Sequence, residues 1–338
     1  QRNSEALAFD ALLDAVTKSS VKKAHYVKMY NPMSKTDVKK LTPTFDIMKH
    51  AEDLVQQPVD QLIITDVNFL NAFKEIIQES HFDLIKSWMI VSNAIQFSSE
   101  LTDEIRIAGG AFSRALSGIK EARSKEKFAF YQAYNRFSQV VGLYYGETFF
   151  GPIAKEDVKT MVYEMIGVYN ERITQNAWLK EKTKEKALKK LSTLTVHVGY
   201  PDELPPYYDQ FEIHDYADGS DLINERLKMT RITNRYNYSK YHHEPNRQIW
   251  SMPASMVNAY YSPTNNQIVF PAAILQEPYY SLDQSQSENY GGIGAVMAHE
   301  ISHAFDNNGA KFDETGSLNN WWTEEDLKAF NKKSKDMI

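Results

Sequence analysis

Gly291-Gly292-Ile293-Gly294-Ala295-Val296-Met297-Ala298-His299-Glu300-Ile301-Ser302-His303-Ala304-Phe305-Asp306 is the stretch on which the reading of the whole chain turns. It contains H-E-x-x-H. On a helix, residues four apart stand one above the other on the same face, so His299 and His303 can aim two imidazoles at one point. Two neutral imidazoles and a carboxylate leave a tetrahedral zinc one open position for water. Glu300 lies about 100° round the helix from His299, beside that water, where a carboxylate can take its proton. This is the geometry of zinc-assisted peptide hydrolysis.

The flanking residues support a helix. Ile293, Val296, Met297, Ile301, Ala304 and Phe305 recur at near-helical spacing and predict that it is buried. Asn307-Asn308-Gly309 follows, residues that tolerate a left-handed C-cap, so the helix is expected to stop just after the motif. The plain alternative is a core helix whose two His are satisfied by hydrogen bonds.

Bulk composition bounds the rest. A length of 338 residues suits two domains or one large one. With 42% hydrophobic and 24% charged residues the chain is ordinary for a soluble globular protein. A net charge of −6 offers no basic field, so no nucleic-acid partner is expected. The absence of cysteine excludes a disulfide framework and any Cys-ligated metal, and suits a cytoplasmic location. No apolar run reaches the length of a membrane helix, and residues 1–20 are not a signal peptide. The chain opens with Gln1 and stops in mid-helix pattern at Lys332-Lys333-Ser334-Lys335-Asp336-Met337-Ile338, which reads as a piece of something longer.

From the N-terminus, residues 5–16 read as an amphipathic helix through Ala6, Leu7, Phe9, Leu12, Leu13 and Val16. Asn31-Pro32 marks a turn, Thr42-Pro43-Thr44-Phe45-Asp46 a helix start, and Gln61–Asp66 a short strand. Residues 67–97 and 103–149 are helix-like. Phe82, Ile85, Met89, Ile90 and Ile95 pave one segment, and the aromatics from Phe128 to Tyr144 pave the other; both stripes read as core. Residues 155–192 are the most regularly periodic, through Val158, Met161, Val162, Met165, Val168, Tyr169 and Ile173. The lysines from Lys180 to Lys190 alternate with Glu181 and Glu185 and read as a solvated helix face. Tyr200-Pro201-Asp202-Glu203-Leu204-Pro205-Pro206 breaks the helical regime, and the polar residues 207–247 read as a connector whose His242-His243 sit in an exposed loop.

After Trp250 two β-prone runs, Val257–Tyr261 and Gln267–Pro271, flank Ser262-Pro263-Thr264-Asn265-Asn266 and predict a hairpin. Pro271 places the second run at an edge or at a strand end. An edge strand beside a zinc helix can pair with an extended peptide, or it can simply pack in a sheet. The third zinc ligand is open. A third His at the metzincin spacing is excluded, because positions 306 and 309 are Asp and Gly. Glu324 and Glu325 follow Thr323 in a first helical turn, where capping explains them better than ligation.

Several segments together resemble the neprilysin family of zinc metallopeptidases, and within it the lactic-acid-bacterial endopeptidase O type. They are Val257-Asn258-Ala259-Tyr260-Tyr261, Asn266 to Leu275, Asn289-Tyr290-Gly291-Gly292-Ile293-Gly294, H-E-x-x-H, Trp321-Trp322-Thr323 and, further back, Gly199-Tyr200-Pro201-Asp202. The resemblance implies a mainly α, two-lobed zincin enclosing a large cavity, with a small β element beside the H-E-x-x-H helix. Residues 1–198 would be a partial helical lobe, 199–247 a connector, and 248–338 the N-terminal part of the catalytic domain.

It further implies one Zn2+ per chain on His299 and His303, and Glu300 as general base. Asn258 and the backbone of Ala259 would hold the substrate main chain. Ile274, Tyr279, Ala295 and Val296 would shape the pocket for the residue after the scissile bond, and Asp306 would hydrogen-bond a ligand His. The substrates would be oligopeptides cut before hydrophobic residues. The family's third ligand is a Glu in an E-N-x-A-D motif that this sequence lacks, so it is expected beyond residue 338, and these residues alone are expected to be inactive. The rival reading is a catalytically silent peptide-binding fragment.

Overall fold

The computed structural model describes residues 1–17 and 26–335; Asp336, Met337 and Ile338 of the expected last helix lie outside them. Helices dominate, with five short strands among the described residues: β1 (Pro32–Ser34), β2 (Gln61–Ile63), β3 (Thr195–Gly199), β4 (Tyr260–Ser262) and β5 (Gln267–Pro271). No described helix is long and apolar enough to cross a membrane. The chain divides into two compact units, Gln1–Ala129 with Pro206–Glu244, and Phe130–Pro205 with Pro245–Ile338. These interleaved segments do not coincide with boundaries at 198 and 247.

In the first unit the helix Arg2–Val16 packs on the helix Phe82–Gln96, with Phe9 and Trp88 edge to face at 5.7 Å and the Ser87 hydroxyl donating to Glu5 at 2.6 Å. That contact leaves Phe82, Met89, Ile90 and Ile95 exposed, contrary to the core reading of the stripe. Asp46 starts the helix Ile47–Val55, accepting from the Lys49 N–H at 2.9 Å, and Met48 sinks into a small core with Val38 and Val59. β1 pairs antiparallel with β2, and Pro32 opens its strand, where a missing N–H is tolerated. The expected connector contains an 18-residue helix, Leu222–Ser239, capped by Asp221. Only Glu225 and Met229 are fully buried on it, and its apolar residues, among them Ile223, Leu227 and Ile232, are outnumbered by polar and charged ones. His242 and His243 lie exposed in the loop after it, as expected.

The second unit carries the main core. Periodic residues 155–192 form two helices, Gly151–Thr174 and Glu181–Ser192, with Asn176 accepting from the Trp178 and Leu179 N–H groups in the turn between them. Ala154, Val158, Met161 and Val162 meet Leu191, Val198, Ile268, Phe270 and Leu275. Burying each larger side chain of this set contributes about 1.5–3 kcal/mol.

The sheet order is β3-β5-β4: β5 runs parallel to β3 and antiparallel to β4, with Tyr261 opposite Ile268. The predicted hairpin is therefore present. β5 is the buried centre of the sheet and Pro271 a strand end, so of the two hairpin strands it is β4 that lies at an edge, β3 forming the other. β3 was not anticipated; Thr195-Val196-His197-Val198 is β-branched but too short to stand out after a long helix.

On the helix Lys125–Phe149 the buried line is Gln139, Gly142 and Gly146, while Phe130 and Tyr144 are exposed, so the aromatic stripe is not its core face. A Cβ on Gly142 would lie 2.6 Å from the Ala254 nitrogen, and one on Gly146 would lie 2.5 Å from the Tyr200 Cβ. These glycines let the backbone approach closely.

The Lys180–Lys190 run is solvated at Lys182 and Lys189 but not at Lys190, which is 1% exposed. Burial pushes the Lys190 ammonium down to about 8, against the pull of Asp313, Asp306 and Glu314. With the folded pKa below the ordinary value, the unfolded chain holds this proton more tightly, and stability rises with pH above about 8. Between pH 8 and 9.5 the unfolding free energy of the wild type, relative to Lys190→Met, is expected to grow by about 2 kcal/mol. Urea titrations of the two proteins at both pH values check this; a flat or falling difference would contradict it.

Candidate metal centre

The H-E-x-x-H helix spans Ile293–Ser302. Its first turn is fastened by the Ile293 N–H donating to the Tyr279 carbonyl at 2.8 Å. A Cβ on Gly292 would lie 2.4 Å from that carbonyl, so glycine is required at this crossing. Ile293, Met297 and Ile301, four apart, are all 0% exposed and face the core. The Tyr169 hydroxyl donates to the Ala298 carbonyl at 2.9 Å, and the Tyr290 hydroxyl bonds Glu164, tying this segment to the helix Gly151–Thr174. With one face thus fixed, His299 stays exposed and His303 half-buried.

The helix ends at Ser302, without the expected left-handed cap. His303 has φ −60°, and Asn308 has φ −98°. Gly309 serves packing instead: a Cβ there would lie 1.9 Å from the His303 carbonyl oxygen.

The two imidazoles converge, with Nε2 of His299 and Nε2 of His303 3.0 Å apart and the rings at 77°. Two nitrogens bound to one tetrahedral zinc at about 2.0–2.1 Å lie about 3.3 Å apart. The separation therefore fits a shared cation with a small opening of the pair. His303 Nδ1 lies 2.7 Å from Asp306 Oδ2; as donor there, the ring leaves Nε2 unprotonated and free to ligate. Asp306 Oδ1 in turn accepts from the Asn308 and Gly309 N–H groups, each at 2.8 Å. Burial raises the Asp306 pKa, but the hydrogen bonds from Gly309, His303 and Asn308 outweigh it and hold the carboxyl below its ordinary range.

Glu300 is 6% exposed, and burial pushes its pKa up against the two His and the Tyr261 backbone N–H of β4. His299, Glu300 and His303 bring their ligand atoms within 4.8 Å of one another, the one such group of three among the described residues.

The expected substrate-binding residues divide. Ala259 and Ile274 are buried in the core cluster that holds the metal helix, and Val296 packs against it. Ala295 is exposed on the metal helix, and Tyr279, 44% exposed, reaches it through its backbone. Asn258 is exposed just before β4, its side-chain oxygen accepting from the Ala259 N–H at 2.9 Å. Glu324 and Glu325 are exposed on the first turn of the helix Glu324–Lys335, apart from the metal-capable group. Sequence reasoning missed the Tyr261 N–H and the packing role of Gly309. A backbone donor leaves no mark in a sequence, and glycine after a helix reads first as a cap.

A mainly helical chain that sets paired imidazoles and a buried glutamate beside an edge strand has the makings of a zinc peptidase. Comparison makes this specific. Models of peptidase family M13 match residues 1–201 and 258–338, and the chain belongs to that family. It is 46% identical over 333 residues to the neutral endopeptidase of Lactococcus lactis subsp. lactis (strain IL1403), covering 98% of this chain and 52% of that protein. It is 27% identical over 343 residues to human endothelin-converting enzyme 1, covering 99% of this chain and 44% of that protein.

Among solved structures it superposes on PepO of Lactobacillus rhamnosis HN001 with a TM-score of 0.91 at 35% identity, over 99% of this chain and 52% of that one. The zinc metalloprotease Zmp1 of Mycobacterium tuberculosis gives 0.83 at 27% identity, over 99% and 50%. The chain thus spans about half the length of the relatives it matches.

Proposed function

We propose that the protein carrying this chain is a zinc endopeptidase that hydrolyses oligopeptides, favouring hydrophobic residues after the scissile bond. The observation that carries the reading is the 3.0 Å approach of the two Nε2 atoms with Asp306 behind one of them. His299 and His303 would hold one Zn2+, and a Glu from sequence after Ile338 would complete the three protein ligands of a catalytic site. When bound, the metal polarises a carbonyl and acidifies its water.

Glu300 receives the proton on its carboxylate and delivers it to the leaving amine; its buried setting brings its pKa nearer to neutral, where a base of this kind works best. Asp306 keeps the His303 proton on Nδ1. Asn258 and the Ala259 backbone, next to the edge strand β4, align the substrate main chain, and Ile274, Tyr279, Ala295 and Val296 shape the pocket beyond the scissile bond. The relatives named as neutral endopeptidases support this substrate class.

Zinc stoichiometry and turnover of a quenched hydrophobic peptide, measured on residues 1–338 and on the complete protein, test it. The complete protein is expected to bind one zinc and cleave. Zinc binding without cleavage there would contradict the endopeptidase reading and leave a two-His structural metal site in its place.

A further inference from the structure

Lys190 is a buried cation that this chemistry leaves unused. It sits on the helix Glu181–Ser192 and donates to the Gly309 carbonyl at 2.6 Å and to the Phe312 carbonyl at 2.7 Å. Both carbonyls belong to the turn that follows the metal helix. From that turn hydrogen bonds run back to the site without a break. The Gly309 N–H donates to Asp306 Oδ1 at 2.8 Å, and Asp306 Oδ2 accepts from His303 Nδ1 at 2.7 Å. His303 Nε2 is then presented to His299 Nε2.

We propose that Lys190 is a positioning residue for the metal: by holding the turn at two carbonyls it fixes the Asp306 carboxylate, and through it the tautomer and plane of the His303 ring. The inference rests on His303 being a zinc ligand. A carboxylate behind a ligand His needs its own partners to keep its direction, and here those partners are backbone N–H groups whose place depends on the turn. A buried ammonium must be hydrogen-bonded, and here both of its acceptors, the Gly309 and Phe312 carbonyls, lie on the one turn that carries the donors to Asp306, so satisfying the lysine also fixes that turn.

The test uses the complete protein and reads zinc affinity by competition with a chelator, together with the absorption bands of the Co2+-substituted form. Lys190→Met keeps the apolar stem and removes the donor. It is expected to weaken zinc binding about 10-fold and to shift the cobalt bands. Asp306→Asn is expected to weaken zinc binding about 10- to 100-fold. The two changes together should be no more than about two-fold worse than Asp306→Asn alone, since both act on one ring. Met48→Ala, in the separate small core of the first unit at 0% exposure, is the control: it lowers the melting temperature and leaves zinc affinity unchanged.

Lys190→Gln, which retains donors, serves if the methionine variant does not fold, with a smaller loss expected. Wild-type zinc affinity and cobalt bands in a folded Lys190 variant would overturn the proposal. So would additive losses, or failure of both variants to fold where Met48→Ala folds. If the unaltered protein binds no zinc, or His303→Ala binds it as well as the wild type, the metal-site reading fails rather than the relay.

Discussion

Glu300→Gln in the complete protein is expected to lower the rate of peptide hydrolysis by a factor of about 10² to 10⁴, with zinc still bound and the fold intact. The fold survives because the change is nearly isosteric, and the amide oxygen can still accept from the Tyr261 N–H that faces Glu300. Zinc remains because His299 and His303 keep their convergence, and Asp306 its bond to the ring. In the proposed mechanism, what is lost is the group that takes and returns a proton. The loss should therefore fall on kcat, with KM little changed. Steady-state kinetics on a quenched peptide, with zinc content measured on the same samples, check both halves. Normal cleavage by the variant would remove Glu300 from the chemistry.

Gly309→Ala is expected to destabilise the protein by about 3 kcal/mol and to weaken zinc binding by at least about 10-fold. Gly309 is not in the left-handed region, so chain entropy alone would favour alanine by about 0.4–1 kcal/mol. Contact decides the sign. The new Cβ would lie 1.9 Å from the His303 carbonyl oxygen and 2.7 Å from the carbonyl of Ala304. All of these atoms are backbone, so either the end of the metal helix or the Gly309–Lys311 turn must shift, and both support the Asp306–His303 pair. Urea unfolding and chelator competition on the variant check the two effects. A stabilised variant with unchanged zinc affinity would refute the packing account of this glycine.

The convergence of His299 and His303 was legible because its geometry is local. An i, i+4 pair of His on an apolar helix fixes its own geometry, and Asp306 lies three residues on, within reach of the second ring. The β4–β5 hairpin was legible for the same reason, its turn residues lying between two β-prone runs.

Where the reading failed, long-range contacts had overruled local pattern. Lys190 looks like one more charge on a solvated face, and only the turn at Gly309–Phe312 explains its burial. The aromatics of the helix Lys125–Phe149 look like core, yet the close approach of Ala254 and Tyr200 selects the glycine line instead. The helix Leu222–Ser239 hides because polar and charged residues outnumber and interrupt its apolar line of Ile223, Leu227, Met229 and Ile232. The Asn307-Asn308-Gly309 sequence carries a cap signal that goes unused: the helix ends earlier, at Ser302, where the Ala304 and Phe305 N–H groups meet the Ile301 and Ser302 carbonyls, and Asp306 takes up the N–H groups of Asn308 and Gly309.

The central claim is that one cation sits between His299 and His303. Crystals of the complete protein grown with zinc, with data collected at the zinc absorption edge, test it most directly. The account predicts a single anomalous peak about 2.0–2.1 Å from Nε2 of each residue, with Asp306 still bonded to His303 Nδ1. Imidazoles turned apart, or a peak held by other side chains with none between these two, would contradict it.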